Sequence, residues 1–329
     1  MLVLVISTTA MLLVAIGFLV AASILRRSNN RKAAHWQGLE RNWGMAVESI
    51  ARGAVPQTLH AIVRGGERLI LLDYLYKSNI SEARPDRRAL HAELARPYLP
   101  ELERRVRDGD VWQRARAIRT LAELGGGAHA AVIIGALDDP APHVAMTAAR
   151  TYARLGLGPI EPLLERIERY QGWDRRLLRL TLASLGPTAA PTLHDRFADP
   201  QLAPRIRAVL ADSLADLRFT GANDTALEVL SLEEDLDLKS AALRVIRAPV
   251  TERQRMVVRA LCGSEDAVVR AQAVACLARI AGPADMAELE RALADFSPWV
   301  VLNAKRGLSE HGQLEAATSG TVSSARGWE

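Results

Sequence analysis

Arginine side chains recur on the predicted helices of this chain at positions where they could bind acidic groups together. Arg114, Arg116 and Arg119 fall on one predicted helix, and later helices carry three further candidates, Arg150, Arg207 and Arg270. A guanidinium group binds a carboxylate through two parallel hydrogen bonds, so these six residues are candidates for binding an acidic partner. The alternative is that they pair with Asp and Glu of the chain itself, in ion-pair ladders between neighbouring helices. The sequence leaves both possibilities open.

Other residue types that carry catalysis or bind metals lack the necessary spacing. The seven histidines form no HExxH pattern, and none lies four residues from another His or a Cys, so no zinc-ligand set is present. The chain also has no phosphate-binding loop and no nucleophile elbow. Cys262 and Cys276 lie among apolar neighbours, which predicts buried free thiols. We therefore expect no enzymatic activity, no catalytic residue, no cofactor and no metal ion.

The distribution of charge argues against a nucleic-acid partner. The chain contains 42 Lys and Arg and 38 Asp and Glu. Residues 1–32 hold four of the basic residues and no acidic one, so the remainder carries 38 charges of each sign. A nucleic-acid-binding protein usually shows a basic face with aromatic platforms, whereas aromatic residues make up only 5% of this chain. Lysine is rare beside arginine, which is typical of a bacterial protein from a GC-rich genome.

The first 25 residues predict a transmembrane helix. They contain no charged side chain and are followed at once by Arg26, Arg27, Arg31 and Lys32. A helix of this length reaches about 36 Å, enough to cross a bilayer core of about 30 Å with some tilt. The positive-inside rule then places the N-terminus outside and the rest of the chain in the cytoplasm. We expect a single-pass protein of the bacterial inner membrane.

Two other interpretations of this segment stay open. Ala21-Ala22-Ser23 resembles a signal-peptide cleavage site, although no basic residue precedes the apolar run. Gly17 and Ala21 form a small-xxx-small pattern, through which two membrane helices could pair as a homodimer.

From about residue 110 the sequence repeats with a period near 31 residues. Asp110–Leu124 and Asp266–Ile280 share an initial Asp, a Val, an Arg, a central Ala and a closing apolar residue. Each unit predicts an amphipathic helix, a C-terminal cap such as Leu-Gly, a second short helix and an Asp-rich turn. Small residues are expected where helices cross closely, at Ala117, Ala148, Ala273 and Ala304. One helix pair cannot bury its apolar face alone, so the pattern predicts stacked units.

The repeated unit, with its Asp, Val-Arg, Ala and closing Leu-Gly, resembles the short HEAT repeat, of the kind also found in phycobilin lyase subunits. Asp266, Val269, Arg270 and Ala273 match this pattern best. The resemblance covers residues 107–311, and the units near 177–185 and 238–246 depart from it. It implies an all-α fold, an α-solenoid of about six HEAT-like helix pairs preceded by one transmembrane helix. It also implies that the arginine-bearing helices line a concave side, where they would form a groove for an acidic partner.

These observations predict five segments. They are a transmembrane helix (1–25), a basic juxtamembrane linker (26–35), a helical capping region (36–106), the HEAT-like solenoid (107–311) and a disordered polar tail (312–329). In the capping region we expect two helices around a polar loop at Lys77–Arg87. Trp36 and Trp43 follow the basic linker and are expected either at the membrane interface or in the core.

The predicted function is a membrane-anchored cytoplasmic scaffold that binds a protein partner, because HEAT arrays mostly act as binding scaffolds. An accessory or chaperone subunit of a membrane enzyme, such as an envelope glycosyltransferase or transporter, is the alternative. A bilin-lyase-like enzyme is a third possibility, against which the membrane anchor argues. The identity of the partner is left open.

Overall fold

The computed structural model describes Leu19, Arg26 and residues 34–324, with side chains as far as Gly312. These residues form helices and turns without a strand, which confirms the all-α class. The chain divides into two compact units, Met1–His129 and Ala130–Glu329. The predicted transmembrane helix, its pairing motif and most of the basic linker lie outside the described residues.

The first unit contains six helices among its described residues. They are α1 (34–51), α2 (Gln57–Ile62), α3 (Arg68–Ser81), α4 (Pro85–Ala95), α5 (Leu99–Asp108) and α6 (Val111–Gly125). Helix α6 packs against α3, α4 and α5, so it forms the centre of this unit. Its inner face buries Ile118, Leu121 and Leu124.

The predicted polar loop at Lys77–Arg87 is wrong in extent. Helix α3 continues to Ser81 and α4 begins at Pro85, so only a short connection separates them. The second predicted helix is also divided, because a 3₁₀ turn at Arg96–Tyr98 separates α4 from α5. Pro97 and Pro100 lie at the start of the turn and of α5, where a proline ends one helix and begins the next.

The second unit is built from stacked helix pairs in two layers. The longer helices form one layer, in which each packs against the next: α8 (Pro142–Leu155), α10 (Arg175–Ala183), α12 (Pro204–Asp216), α14 (Leu236–Val245), α16 (Ala267–Ile280) and α18 (Pro298–Ser324). The shorter helices precede them: α7 (Ala130–Gly135), α9 (Glu161–Leu164), α11 (Ala190–Ala198), α13 (Asn223–Leu232), α15 (Glu252–Leu261) and α17 (Met286–Arg291). The two units that depart from the repeat pattern also form their helices, α10 and α14.

The longer repeat helices begin in one of two ways. Asp266 caps α16, because its Oδ1 accepts hydrogen bonds from the backbone N–H groups of Val268 and Val269 at 2.8 and 2.9 Å. Other helices with an Asp cap are α6, α10 and α14, capped by Asp110, Asp174 and Asp235. The remaining three, α8, α12 and α18, start at Pro142, Pro204 and Pro298, where the missing N–H of proline is not needed.

Small residues lie buried between the helices, as the repeat predicts. Ala148, Ala273 and Ala304 are fully buried, and Ala117 is nearly so. Gly156 ends α8 in the left-handed conformation, with φ of 56°, which confirms the predicted Leu-Gly cap.

The C-terminal helix and one apolar stretch differ from what polarity and hydropathy alone suggest. Helix α18 continues to Ser324, into the segment for which the sequence predicts a disordered tail, and residues 313–317 of this segment are good helix formers. Among the described residues one helical stretch, Val111–Asp138, has the length and mean hydropathy (1.4) of a membrane span, and 39% of its most apolar window is buried inside the protein. Since core helices share these properties, this is weak evidence for a span there.

Candidate functional site

A groove lies in the first unit, between α1, α3, α5 and α6. Its volume is about 580 Å³, within the range of binding pockets. Its apolar wall comes from Leu69, Ile70 and Leu102. We call it the α1–α6 groove.

Two tryptophans on different helices line the α1–α6 groove. Trp36 of α1 is 37% exposed and Trp112 of α6 is 74% exposed. Trp43 lies on α1 seven residues after Trp36. It is buried and packs near Tyr74, with 5.9 Å between the ring centroids. Of the two tryptophans that follow the basic linker, one therefore belongs to the core and the other to the groove.

An ion-pair cluster lies at the polar side of the groove. Asp73 of α3 accepts hydrogen bonds from Arg116 Nε at 3.0 Å and pairs with Lys77 Nζ at 3.0 Å. Burial alone would raise the pKa of Asp73, but the hydrogen bonds from Arg116 and Lys77 outweigh it and hold that pKa below the usual range of an aspartate. Asp73 is therefore ionised at neutral pH and is already neutralised by the chain's own cations.

A second arginine in the groove is free to act on a ligand. Arg105 of α5 is half-buried and lines the groove. Its guanidinium makes no hydrogen bond or ion pair with the part of the chain that the structure describes. Glu40 of α1, which also lines the groove, likewise has no such partner within residues 34–312. The groove thus combines exposed aromatic rings with one unpaired cation and one unpaired anion.

The six arginines predicted as candidates do not come together in this groove. Of the three on α6, only Arg116 lines it, while Arg119 is exposed elsewhere on the helix. Arg114 donates from Nη1 to the carbonyl oxygen of Gly109 at 2.9 Å. Arg150 is exposed on α8 of the second unit.

Arg207 and Arg270 form ion pairs with acidic residues of the chain itself, which is the alternative that the sequence left open. Arg207 is buried, pairs with Glu233 and donates from Nε to the Phe197 carbonyl at 3.0 Å. Arg270 pairs with Asp295 at 2.9 Å, from Nε to Oδ2, and its Nη1 also donates to the carbonyl of Ser264 at 2.9 Å. Arg114, Arg207 and Arg270 share one position in the repeat, and each donates to a backbone carbonyl that precedes its own helix, Gly109, Phe197 and Ser264. Whether any of the six binds a partner stays a prediction.

The residues that build the groove were mostly outside the predicted set. Asp73, Lys77, Arg105 and Trp112 were not candidates. Two local signals point to them: the i,i+4 pair of Asp73 and Lys77, and a tryptophan two residues after the capping Asp110. Their convergence depends on the packing of α3, α5 and α6, which no local signal reports.

The cysteine and carboxylate side chains that the structure describes do not form a metal site. Among the described residues no group of three or more His, Cys, Asp or Glu is placed to hold a metal ion. Cys262 and Cys276 are free and buried, as predicted. Burial raises the pKa of the Cys262 thiol to about 12 and that of the Cys276 thiol to about 11, so both are protonated at neutral pH.

A family model for HEAT repeats matches residues 99–183, which includes α5, α6, α8 and α10. This stretch is HEAT-like. The match begins in the predicted capping region and covers fewer units than the residue pattern does. The stacking of helices continues beyond the matched residues, as far as α16 and α18. No curated protein sequence matches the chain.

Solved structures that align with this chain do so weakly. An engineered protein has 15% identity and a TM-score of 0.36, over 72% of this chain and 95% of that one. A computationally designed armadillo repeat protein for modular peptide recognition has 14% identity and a TM-score of 0.33, over 72% and 98%. Human deoxyhypusine hydroxylase has 14% identity and a TM-score of 0.31, over 84% and 98%. At these TM-scores the alignments carry no argument about function.

Proposed function

We propose that this protein is a scaffold that binds a protein partner and is held at the membrane by residues 1–25. The observation that carries the proposal is the α1–α6 groove, with Trp36 and Trp112 exposed beside an unpaired Arg105. Exposed aromatic and arginine side chains around a concave, partly apolar surface are typical of the central part of protein interfaces. The HEAT-like repeats support the same conclusion, because such arrays mostly present binding surfaces.

The membrane part of the proposal rests on composition. The apolar run and the basic residues after it favour a single span with the repeats on the cytoplasmic side of a bacterial inner membrane. Anchoring would confine the protein to a thin layer beneath the bilayer. This confinement raises the effective concentration of the binding surface for any partner that is also held there. In this proposal the chain performs no chemistry itself, and an accessory role beside a membrane enzyme is a special case of it.

The proposal is tested by photo-crosslinking of the full chain in its native cells. A photoreactive phenylalanine analogue replaces Trp112 in one variant and Met45 in the control, since Met45 is an exposed apolar residue of the same unit outside the groove. We expect a defined crosslinked protein from position 112 and none from position 45. The product should persist when residues 1–25 are replaced by an unrelated span of the same orientation.

Three outcomes of this experiment are informative. A crosslinked product that is lost on the span replacement would place the binding site within the bilayer. Equal products from positions 45 and 112 would show non-specific contact, and no product from position 112 or from any other exposed position would contradict the scaffold. If the crosslinked partner is an enzyme, its rate with and without this protein shows whether the role is that of an accessory subunit.

A further inference from the structure

We infer that the α1–α6 groove docks an acidic peptide segment of a protein partner, which places an apolar side chain between Trp36 and Trp112 and a carboxylate on Arg105. This inference rests on the proposed function and names the chemistry that the scaffold would recognise.

The shape of the groove favours a protruding side chain over a flat surface. Trp36 comes from α1 and Trp112 from α6, and Leu69, Ile70 and Leu102 form the apolar wall of the concavity that they share. A volume of about 580 Å³ can hold several side chains of a peptide. A membrane surface cannot enter a concavity between helices, whereas a leucine or phenylalanine on a peptide can.

The charges of the groove favour a carboxylate. Three cations line it, Lys77, Arg105 and Arg116, and two of them are already engaged by Asp73. Arg105 is half-buried, and its guanidinium forms no ion pair with the described residues, so it is available to a ligand. A planar guanidinium of this kind is suited to bind a carboxylate with two parallel hydrogen bonds.

The sequence next to the groove also favours an acidic ligand. Trp36 follows Lys32 by four residues, so their Cα atoms are at most about 14 Å apart in any conformation. Arg26, Arg27 and Arg31 precede Lys32 in the sequence, and positive charge on this part of the chain favours an acidic over a basic ligand. Among the described residues that line the groove, a basic segment would meet one unpaired anion, Glu40, against three cations.

The test uses a phage-displayed library of short random peptides selected on the full chain in nanodiscs. We expect the enriched peptides to carry Asp or Glu within a few positions of Leu, Phe or Trp. A synthetic peptide of the enriched sequence should lose roughly tenfold or more in affinity on Arg105→Glu and on Trp112→Ala. The matched controls are Arg104→Glu, an exposed arginine next in sequence that does not line the groove, and Met45→Ala, and both should bind nearly as tightly as the wild type.

A third variant separates an acidic partner from a basic one. Glu40→Gln removes the unpaired anion of the groove, so it should leave the affinity for an acidic peptide unchanged or increase it. The inference is overturned if basic peptides are enriched, if Glu40→Gln weakens binding, or if no peptide is enriched above an empty nanodisc. It is also overturned if the only binding lost on Arg105→Glu is to vesicles containing phosphatidylglycerol, since the groove would then be a lipid site.

Failure of this inference and failure of the scaffold itself give different results. If Trp112→Ala and Arg105→Glu leave the native partner bound, the scaffold stands and its binding surface lies elsewhere. If no partner is crosslinked at any exposed position, the proposed function fails as well. Helical circular dichroism and a thermal melt of each variant exclude loss of folding as the cause.

Discussion

At the scale of the residue, two buried carboxylates tie neighbouring helices together through arginine. Asp212 of α12 is 4% exposed and accepts from Arg175 Nη2 of α10 at 2.8 Å and from Arg244 Nε of α14 at 2.6 Å. Asp285, with no exposed surface, accepts from the N–H of Gly282 at 2.8 Å and from Arg259 Nε at 3.1 Å. Removing one partner of such a pair leaves an uncompensated buried charge, which is strongly destabilising. The arginines of the repeats therefore act largely as structural ties.

Asp285 predicts a pH dependence of stability. Burial alone would raise its pKa, but the Gly282 N–H and Arg259 outweigh burial, so the folded pKa lies below the usual range. Asp285 thus stabilises the fold fully above about pH 4, the pKa of an unfolded aspartate, and loses this effect as the pH falls through the folded pKa. We expect Asp285→Asn to melt at a lower temperature than the wild type at pH 7, and the difference to shrink below about pH 4. Exposed Asp86→Asn is the control, and a difference for Asp285→Asn that does not change with pH would contradict this account.

Arg218 is in a backbone conformation that favours glycine. It follows Leu217 with φ of 56°, where the equivalent cap of α8 has Gly156. A residue with a Cβ pays roughly 1–2 kcal/mol in the left-handed region, so we expect Arg218→Gly to increase the free energy of unfolding by about 1 kcal/mol. Arg218→Ala, which removes the side chain but keeps the strain, should not. Urea denaturation of the two variants measures the difference, and equal stabilities would show that the side chain and not the backbone matters.

At the scale of the element, α18 can approach α16 closely because a glycine, Gly307, lies at the contact. A Cβ added to Gly307 would lie 2.5 Å from the Cβ of Ala278, well inside van der Waals contact, and 3.5 Å from Leu289 Cδ1. Asn303 also reaches across from α18, donating from Nδ2 to the carbonyl of Ala271 at 2.9 Å. The last repeat is therefore held by a close helix contact and a side-chain hydrogen bond to the backbone of its neighbour.

Two glycines of α18 give a matched prediction. Alanine is a better helix former than glycine by about 1 kcal/mol, so Gly312→Ala, with nothing within 4 Å of its added Cβ, should stabilise the protein or leave it unchanged. Gly307→Ala makes the same chemical change where α18 meets α16, and overpacking such a contact costs about 1–3 kcal/mol. We expect a lower melting temperature for Gly307→Ala only. A melting temperature that rises in both variants would mean that α18 does not pack this closely.

At the scale of the whole molecule, the proposed function requires that the helical repeats be anchored at a membrane. The described helices account for the array within each unit, and the apolar residues 1–25 predict the span. The proposed orientation rests on Arg26, Arg27, Arg31 and Lys32, because basic residues beside a span favour the cytoplasmic side. The proposed function of the groove depends on this predicted orientation, because only partners on the same side of the membrane could reach it.

The orientation is tested with fusions to the C-terminus. We expect a fused fluorescent protein to be fluorescent and a fused alkaline phosphatase to be inactive, since phosphatase folds only outside the cytoplasm. Changing Arg26, Arg27, Arg31 and Lys32 together to Asn should weaken this preference, because the positive charges set it. Active phosphatase with a dark fluorescent fusion in the unaltered protein would reverse the predicted topology.

The sequence by itself predicted the repeat helices and much of their packing. Capping Asp or Pro residues mark the helix starts, Gly156 marks a helix end, and the buried Ala148 and Ala273 follow the helical period. These signals are local, because a cap acts within one turn and the apolar period reports which face is buried. The loop predicted at Lys77–Arg87 was wrong because polar residues on an exposed helix face have the same composition as a loop.

Only the tertiary structure decided which residues form the groove and which arginines are tied. Trp36, Asp73, Arg105 and Trp112 belong to four helices, and they converge because α1, α3, α5 and α6 pack together. Arg116, Arg207 and Arg270 all lie in the first half of a repeat helix, yet Arg116 pairs with Asp73, which precedes it in the chain. Arg207 and Arg270 pair with Glu233 and Asp295, which follow them by 26 and 25 residues. An arginine's role depends on the carboxylate that folding brings within hydrogen-bond distance, and the periodicity of a helix carries no information about that neighbour.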